Sequence, residues 1–289
     1  MRRIVIAITA VLCLAFAASA IAGSVAPPTT TNNGFSAGFK ISRGTKKNIG
    51  VTMTETLGNT APTGFGRPYP LADIFTTVSG IASPYAKYFP KCTVAMINNA
   101  GTANGTWNNA CPKGSQIAVG TVISTIGDNV TADPQLNNPA GLLVQTCTLG
   151  LHVYYAGGSN LAYFFTVANN ACGPLATGAA LAYPGTAYVK AGNTDNNVPE
   201  DANISFNAGG TGDWGSLLSE TLKWGATVKV KGKTYPFLVS TGCTKAKTHT
   251  WTAKFVATQA TGDSTTAPTT IPPSSTDLPA VTVNGTSKC

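Results

Sequence analysis

The sequence predicts an all-β fold, specifically an antiparallel β-sandwich of the Ig-like or jelly-roll type with short helices and disulfides. First, only 10% of the residues are charged, which is too few for the solvated faces of a long helical bundle. Second, the apolar residues occur in short runs rich in Val, Ile, Thr, Tyr and Phe, and Gly/Asn-rich turns separate these runs. Third, the hydrophobic fraction of 43% is sufficient for a packed core and too high for a disordered chain.

The strand assignments rest on the alternation of side chains along each run. Val228 and Val230 fall on one face of a predicted strand. Lys229 and Lys231 fall on the opposite face, and the turn at 231–233 indicates a hairpin. The predicted strands are 117–126, 142–155, 161–168, 202–206, 227–231, 235–240 and 250–258. Short helices are predicted at 70–77, 93–99 and 215–222.

The N-terminal segment has the plan of a secretory signal. A basic start, Met1-Arg2-Arg3, precedes an uncharged run over 4–22 that ends in small residues. This pattern predicts a signal peptide at 1–22 and an exported protein. An uncleaved anchor is the alternative, because an apolar run of roughly twenty residues can cross a bilayer. After cleavage we expect no transmembrane segment.

The rest of the chain divides by composition. A flexible leader is predicted at 23–35, a β-sandwich domain at 36–259 and a Thr/Ser/Pro-rich C-terminal tail at 260–289. The tail is either a spacer or a last strand that lies on the surface, and Cys289 would fix it in place if paired.

Six cysteines remain once the signal segment is removed, and an even number in an exported chain favours structural disulfides. Two local pairings are favoured because each closes a Gly/Asn-rich excursion between apolar runs, and the third follows by elimination. The predicted pairs are Cys92 with Cys111, Cys147 with Cys172, and Cys243 with Cys289. A zinc site is the alternative, but the chain has two histidines and no CxxC pair.

One segment carries a more specific pattern. Phe89-Pro90-Lys91-Cys92 is followed by a run that starts at Cys111-Pro112 and continues to Thr121. This resembles the pattern F-P-x-C … C-P-x-x-S-x-I-x-x-G of a family of uncharacterised exported proteins from actinobacteria and related bacteria. The resemblance implies an extracytoplasmic β-sandwich with a cysteine-braced segment, and it brings no catalytic residues.

The usual catalytic arrangements are weakly represented. Ser36 lies in a G-x-S-x-G pentapeptide, but no apolar strand precedes it and no helical pattern follows it. His152 and His249 are expected to be structural, and none of the eleven acidic residues lies in a context that predicts a raised pKa. We therefore expect neither an enzyme nor a cofactor.

A cation site is a weak further hypothesis. Asp195, Glu200 and Asp201 lie close together in a polar stretch, and their oxygens suit calcium. They lack an EF-hand pattern, so a solvated polar loop is the simpler interpretation. No metal site is predicted beyond this calcium candidate.

Two groups of residues are candidates for facing a ligand. Lys229, Lys231 and Lys233 belong to a basic group that alternates on strands, and Trp107 and Trp214 lie in polar loops where their rings could stack on sugars. These features favour a cell-wall glycan or an anionic surface polymer as partner. Nucleic acid is disfavoured by the predicted export and by the scarcity of arginine. Alternatively, the lysines protect a sheet edge from pairing.

The function expected from these observations is that of a secreted or cell-surface protein that binds or forms part of the envelope without catalysis. A carbohydrate-binding or polyanion-binding module is the alternative, and it predicts an open face lined by aromatic or lysine side chains. An extracellular hydrolase is the third hypothesis, and it predicts a buried acid or histidine in a pocket.

Overall fold

The architecture was analysed in a computed structural model that describes residues 34–42, 46–60, 68, 71–100, 110–126, 145–167, 182–186, 215–260 and 275–289. Strands dominate this part of the chain. They are β1 (Gly34–Ser42), β2 (Ile49–Gly50), β3 (Thr52–Thr60), β4 (Leu71–Val78), β5 (Ile81–Ala82), β6 (Gln116–Ile126), β7 (Gln145–Gly157), β8 (Asn160–Val167), β9 (Ala182–Thr186), β10 (Gly215–Trp224), β11 (Thr227–Val230), β12 (Lys233–Pro236), β13 (Val239–Ser240), β14 (Thr248–Ala260), β15 (Ser275–Asp277) and β16 (Val281–Lys288). A 3₁₀-helix (Ala86–Tyr88) and helix α1 (Val94–Asn99) follow β5.

The largest sheet has seven strands in the order β1-β3-β10-β6-β7-β8-β9, and every pairing is antiparallel. A second sheet is built around β14, which pairs with β4, β15 and β16. Two small sheets, β2-β13-β5 and β11-β12, complete the pairing. The predicted all-β class is confirmed, and the predicted strands at 117–126, 142–155, 161–168, 227–231 and 250–258 correspond to β6, β7, β8, β11 and β14.

The two large sheets pack face to face. Phe35 of β1 stacks on Phe255 of β14 with ring centroids 4.7 Å apart. Phe39 of the same strand lies 5.3 Å from the ring of Trp251 of β14, and both side chains belong to the core. Side chains from both sheets therefore share one apolar interior, as expected for a sandwich.

Two of the three predicted helices are wrong. The segments at 70–77 and 215–222 form β4 and β10. In β10 the side chains of Leu222 and Trp224 are buried while Lys223 is exposed, which is the period of two that a half-buried strand requires. Pairing with β3 and β6 outweighs the local helix propensity of this segment. The third predicted helix, 93–99, is confirmed as α1.

Both chain ends of the described domain enter the sheets. β1 begins at Gly34, so the last two residues of the predicted leader already belong to a strand. The C-terminal segment forms β16, which pairs with β14 along eight residues. Of the two alternatives predicted for the tail, its end is therefore a surface strand and not a spacer.

Disulfides brace two parts of this fold. The predicted pairs Cys92–Cys111 and Cys243–Cys289 are confirmed. Cys147 is also disulfide-bonded, and its predicted partner, Cys172, lies outside the described residues. The predicted strand at 202–206 lies outside them as well. None of the helices in the part of the chain that the structure describes has the length and hydrophobicity required to cross a bilayer.

Candidate functional site

The predicted lysine hairpin is formed by β11 and β12. Val230 pairs with Lys233 across a two-residue turn, in which Lys231 and Gly232 have φ angles of 49° and 78°. Positive φ at both positions is typical of a type I′ turn, which matches the twist of the flanking strands. Lys229, Lys231 and Lys233 are all exposed. The alternation predicted from the sequence holds for Lys229 of β11, whereas Lys231 lies in the turn and Lys233, opposite Val230, shares the face of Tyr235.

Three tyrosine rings lie at the base of this hairpin. Tyr235 of β12 lies 4.3 Å from the ring of Tyr88 and 5.3 Å from the ring of Tyr85. Tyr85 precedes the 3₁₀-helix, Tyr88 is its last residue, and the rings of these two residues are 6.3 Å apart. All three rings are partly exposed, and the Lys87 Nζ lies 5.3 Å from the centre of the Tyr88 ring. We call this the tyrosine–lysine surface, formed by Tyr85, Lys87, Tyr88, Lys229, Lys231, Lys233 and Tyr235.

The surface is anchored to the core through the cysteine-braced segment. Phe89, which follows Tyr88, packs edge-on against Phe237 at 5.2 Å. The Cys92 N–H donates to the Tyr155 carbonyl at 2.8 Å, and the Cys92–Cys111 disulfide closes the segment. A core aromatic contact, a strand hydrogen bond and a covalent link thus hold the 3₁₀-helix in one position.

The turn at Gly114-Ser115 has a structural role. Ser115 is fully buried, its hydroxyl donates to the Pro112 carbonyl at 2.7 Å, and its N–H donates to the same carbonyl at 3.1 Å. Its own carbonyl accepts the Tyr155 N–H at 2.9 Å. The backbone N–H and carbonyl of Ser115 therefore both have internal partners, so this turn holds the start of β6 against β7.

Other basic residues belong to other elements. Lys40 of β1 and Lys223 of β10 each lie directly opposite Thr54 of β3 on the outer face of the seven-stranded sheet. Lys245 and Lys247 lie in the turn that precedes β14. Lys254 of β14 contacts an aromatic ring outside the tyrosine–lysine surface, because its Nζ lies 5.3 Å from the centre of the Phe75 ring.

The surface presents two kinds of chemical group. Within the described ranges, no acidic side chain forms an ion pair with Lys87, Lys229, Lys231 or Lys233. The lysines contribute positive charge, and the tyrosine rings contribute apolar faces with hydroxyls at their edges.

A buried pair of acids contradicts one expectation from the sequence. Glu55 of β3 and Glu220 of β10 are 0% and 5% exposed, and both project into the interior of the sandwich. The Trp224 Nε1–H donates to Glu55 Oε2 at 3.1 Å. Burial, and secondarily the neighbouring Glu55, raises the pKa of Glu220 from 4.5 to about 8. A raised pKa was not predicted for any acid.

The alternation of side chains along β3 could have indicated that Glu55 is buried. Met53 and Leu57 are buried and flank Glu55 at a spacing of two, so Glu55 shares their face. For Glu220 the alternation was not recognised, because a helix was predicted for the segment that forms β10. Because both carboxyl groups are enclosed between the sheets, a substrate could not reach them without opening the core, and we interpret the pair as structural.

The histidines and Ser36 lie in strands. His152 of β7 packs 6.2 Å from the ring of Phe164, and burial lowers its pKa. His249 of β14 is fully buried, with its Nδ1 2.8 Å from the Ser79 carbonyl oxygen. Ser36 lies within β1 opposite Gly58, so it is not at a strand-to-helix elbow.

Several predicted site residues lie outside the described residues. These are the sugar-stacking candidates Trp107 and Trp214 and the calcium candidates Asp195, Glu200 and Asp201. They stay predictions.

Comparisons with known proteins give no further guide to function. No protein-family model matches the chain, and neither does any curated protein or any solved structure. The functional argument therefore rests on the chemistry of the residues described above.

Proposed function

We propose that this protein is an exported, non-catalytic binding protein that holds an anionic surface polymer, such as an acidic cell-wall glycan, on the tyrosine–lysine surface. One observation carries the proposal. Three partly exposed tyrosine rings contact one another where the 3₁₀-helix that carries Lys87 meets the hairpin that carries Lys229, Lys231 and Lys233, and these four exposed lysines have no acidic partner among the described residues.

The chemistry of the surface suits a charged polysaccharide better than a purely ionic partner. Tyrosine rings can lie against the apolar faces of sugar rings, and their hydroxyls can hydrogen-bond to sugar hydroxyls. Lysines attract phosphate or carboxylate groups and speed the encounter with a negatively charged polymer. A surface held in place by a disulfide and a core contact loses little conformational entropy on binding.

Export is part of the proposal and has support from two features. The basic and apolar N-terminus predicts a secretory signal. The disulfides Cys92–Cys111 and Cys243–Cys289 suit an oxidising compartment outside the cytoplasm. Membership of the exported family suggested by the sequence pattern remains a prediction.

Binding can be tested with the full mature chain and purified wall teichoic acid, an acidic polymer, with neutral dextran as comparison. We expect the acidic polymer to bind and the interaction to be lost by about 0.5 M salt, where exposed charges are screened. The Lys87→Gln/Lys233→Gln variant should bind at least ~10-fold more weakly, since about 0.7 kcal/mol per lost contact is ordinary for exposed charges. Tyr88→Ala should weaken the binding of teichoic acid more than the binding of polyglutamate, because polyglutamate has no sugar or polyol to contact the tyrosine ring.

The matched control is Lys245→Gln/Lys288→Gln, which removes two exposed positive charges away from the tyrosine rings. It should retain nearly all of the affinity. Equal weakening by both double variants would mean that only net charge matters, and absence of binding at low salt would refute the proposal.

A further inference from the structure

A second cluster of chemically reactive side chains lies at the end of the sandwich where β16 terminates. Cys243 precedes the turn into β14, His249 lies at the start of that strand, and Cys289 follows β16. The two sulfurs and an imidazole nitrogen all lie within 4.8 Å of one another. The cysteines are joined as a disulfide and are partly exposed, while His249 is fully buried.

The hydrogen bonding of His249 leaves one ring nitrogen without a partner. Its Nδ1 lies 2.8 Å from the Ser79 carbonyl oxygen, and an acceptor at that distance requires the proton on Nδ1. Nε2 then carries a lone pair, and this buried atom has no hydrogen-bond partner. A buried acceptor without a partner has lost its hydrogen bond to water and gained none in return, which is unfavourable unless another group binds it.

The surrounding backbone keeps the imidazole in this position. At Gly80, which has a φ of 74°, an added Cβ would lie 2.7 Å from His249 Nδ1 and 2.5 Å from the Gly242 carbonyl oxygen. Only glycine leaves room for the ring here. The N–H of Thr241 donates to the Gly80 carbonyl at 2.8 Å, which links the strand before Cys243 to the same corner.

We propose that this corner is a redox-gated metal site: when the Cys243–Cys289 disulfide is reduced, its two thiolates and His249 Nε2 bind one thiophilic d¹⁰ cation, Zn²⁺ or Cu⁺. Thiolate and imidazole are the ligands that these ions select. The contact between Nδ1 and the Ser79 carbonyl is the outer hydrogen bond that commonly orients a metal-binding histidine.

Reduction of the Cys243–Cys289 disulfide and the metal binding that follows are balanced when an external thiol serves as the reductant. Two reductant thiols give up two electrons and two protons and become a disulfide, while the Cys243–Cys289 bond breaks and yields two thiols. Each thiol then releases its proton to solvent as its sulfur binds the metal. His249 loses no proton, because Nε2 already carries the lone pair. The partial exposure of Cys243 and Cys289 gives the reductant access.

The test uses the full mature protein, oxidised or reduced with a phosphine, and measures metal uptake in competition with a chromogenic chelator. Zn²⁺ and Cu⁺ are tested in separate arms to distinguish them. The reduced wild type should take up one equivalent more of one ion than the reduced Cys243→Ser/Cys289→Ser variant, whose other cysteines are intact. The oxidised protein should lack this equivalent. His249→Gln should weaken this uptake at least ~10-fold, and His152→Gln, which alters the histidine of β7, should not.

A second measurement does not depend on the stability of the variants. The ion should raise the melting temperature of the reduced wild type, since a ligand that binds only the folded state stabilises it. If reduction unfolds the protein, the ion should restore its folded circular dichroism spectrum. Equal uptake by the wild type and the double serine variant, or an ion that produces neither effect, would overturn the proposal.

Discussion

At the scale of single residues, Glu220 is an acid that the fold encloses between the two large sheets. Its carboxyl group is almost fully buried near Glu55, and both burial and that neighbour favour the neutral form. In the unfolded chain the same group is exposed to water and ionises near 4.5. The folded state therefore binds more protons than the unfolded state between these values, which makes stability depend on pH.

We predict that stability falls as the pH rises from about 4.5 to 8, the interval between the unfolded and folded pKa values of Glu220. The loss should be on the order of a few kcal/mol, because each unit of pKa difference corresponds to about 1.4 kcal/mol. Glu220→Gln keeps the shape and remains neutral, so it should be more stable than the wild type at pH 8. Melting temperatures at pH 5, 6.5 and 8 measure the effect.

The Glu55→Gln variant distinguishes the two causes of the raised pKa of Glu220, which are burial and the neighbouring charge. This variant removes the neighbouring charge but leaves Glu220 buried, so the fall in stability should shrink without disappearing. If Glu220→Gln melts with the same pH dependence as the wild type, Glu220 does not titrate in this interval and the interpretation fails.

At the scale of elements, the strands that could be predicted are those whose own residues alternate. β6 and β14 carry β-branched and aromatic residues at a period of two, so pattern alone located them. β10 contains Leu217, Leu218 and Leu222 together with polar residues, a composition that also suits a helix. Only its pairing with β3 and β6 determines its structure, and that information is not local.

The candidate site could also be predicted only where it depends on local sequence patterns. The exposure of Lys229 follows from the alternation of side chains along β11 and could be predicted. Lys233 lies opposite Val230 and is exposed together with Thr234, so alternation does not account for its exposure. The meeting of Tyr235 with Tyr88 could not, because the rings belong to elements far apart in sequence. The contact between Phe89 and Phe237 brings these elements together.

The pairing of β14 with β16 depends on one glycine. Gly285 lies directly opposite Trp251, and a Cβ at this position would collide with the indole ring. We predict that Gly285→Ala destabilises the protein by about 1–3 kcal/mol, the usual cost of overpacking. Thr286→Ala, at the exposed neighbouring position, should change the free energy of unfolding by less than about 0.5 kcal/mol. Urea denaturation measures both, and equal values would show that the Trp251 ring moves aside freely.

At the scale of the whole molecule, the last strand lies against the first. The Ser287 hydroxyl of β16 donates to the Phe39 carbonyl of β1, and Phe39 in turn contacts Trp251 in the core. Among the strands that the structure describes, β16 pairs with one, β14, so it lies at an edge and its backbone hydrogen bonds hold it from one side. The Cys243–Cys289 disulfide prevents this strand from leaving and thereby protects the interior between the sheets.

Removal of that covalent link should therefore affect the whole sandwich. The bond joins residues 46 positions apart, and in the chain-entropy model a loop of this length contributes about 4 kcal/mol. We expect the free energy of unfolding of Cys243→Ser/Cys289→Ser, measured by urea denaturation without added metal, to be lower than that of the wild type by about this amount. We also expect faster amide hydrogen exchange in β16 and β14 than in β6 and β7, where strands pair on both sides. The double variant Thr282→Ala/Thr286→Ala alters exposed positions of β16 and leaves the link intact, so it should resemble the wild type. A loss below about 1 kcal/mol in the serine variant would mean that packing of β16 on β1 closes the sandwich without the disulfide.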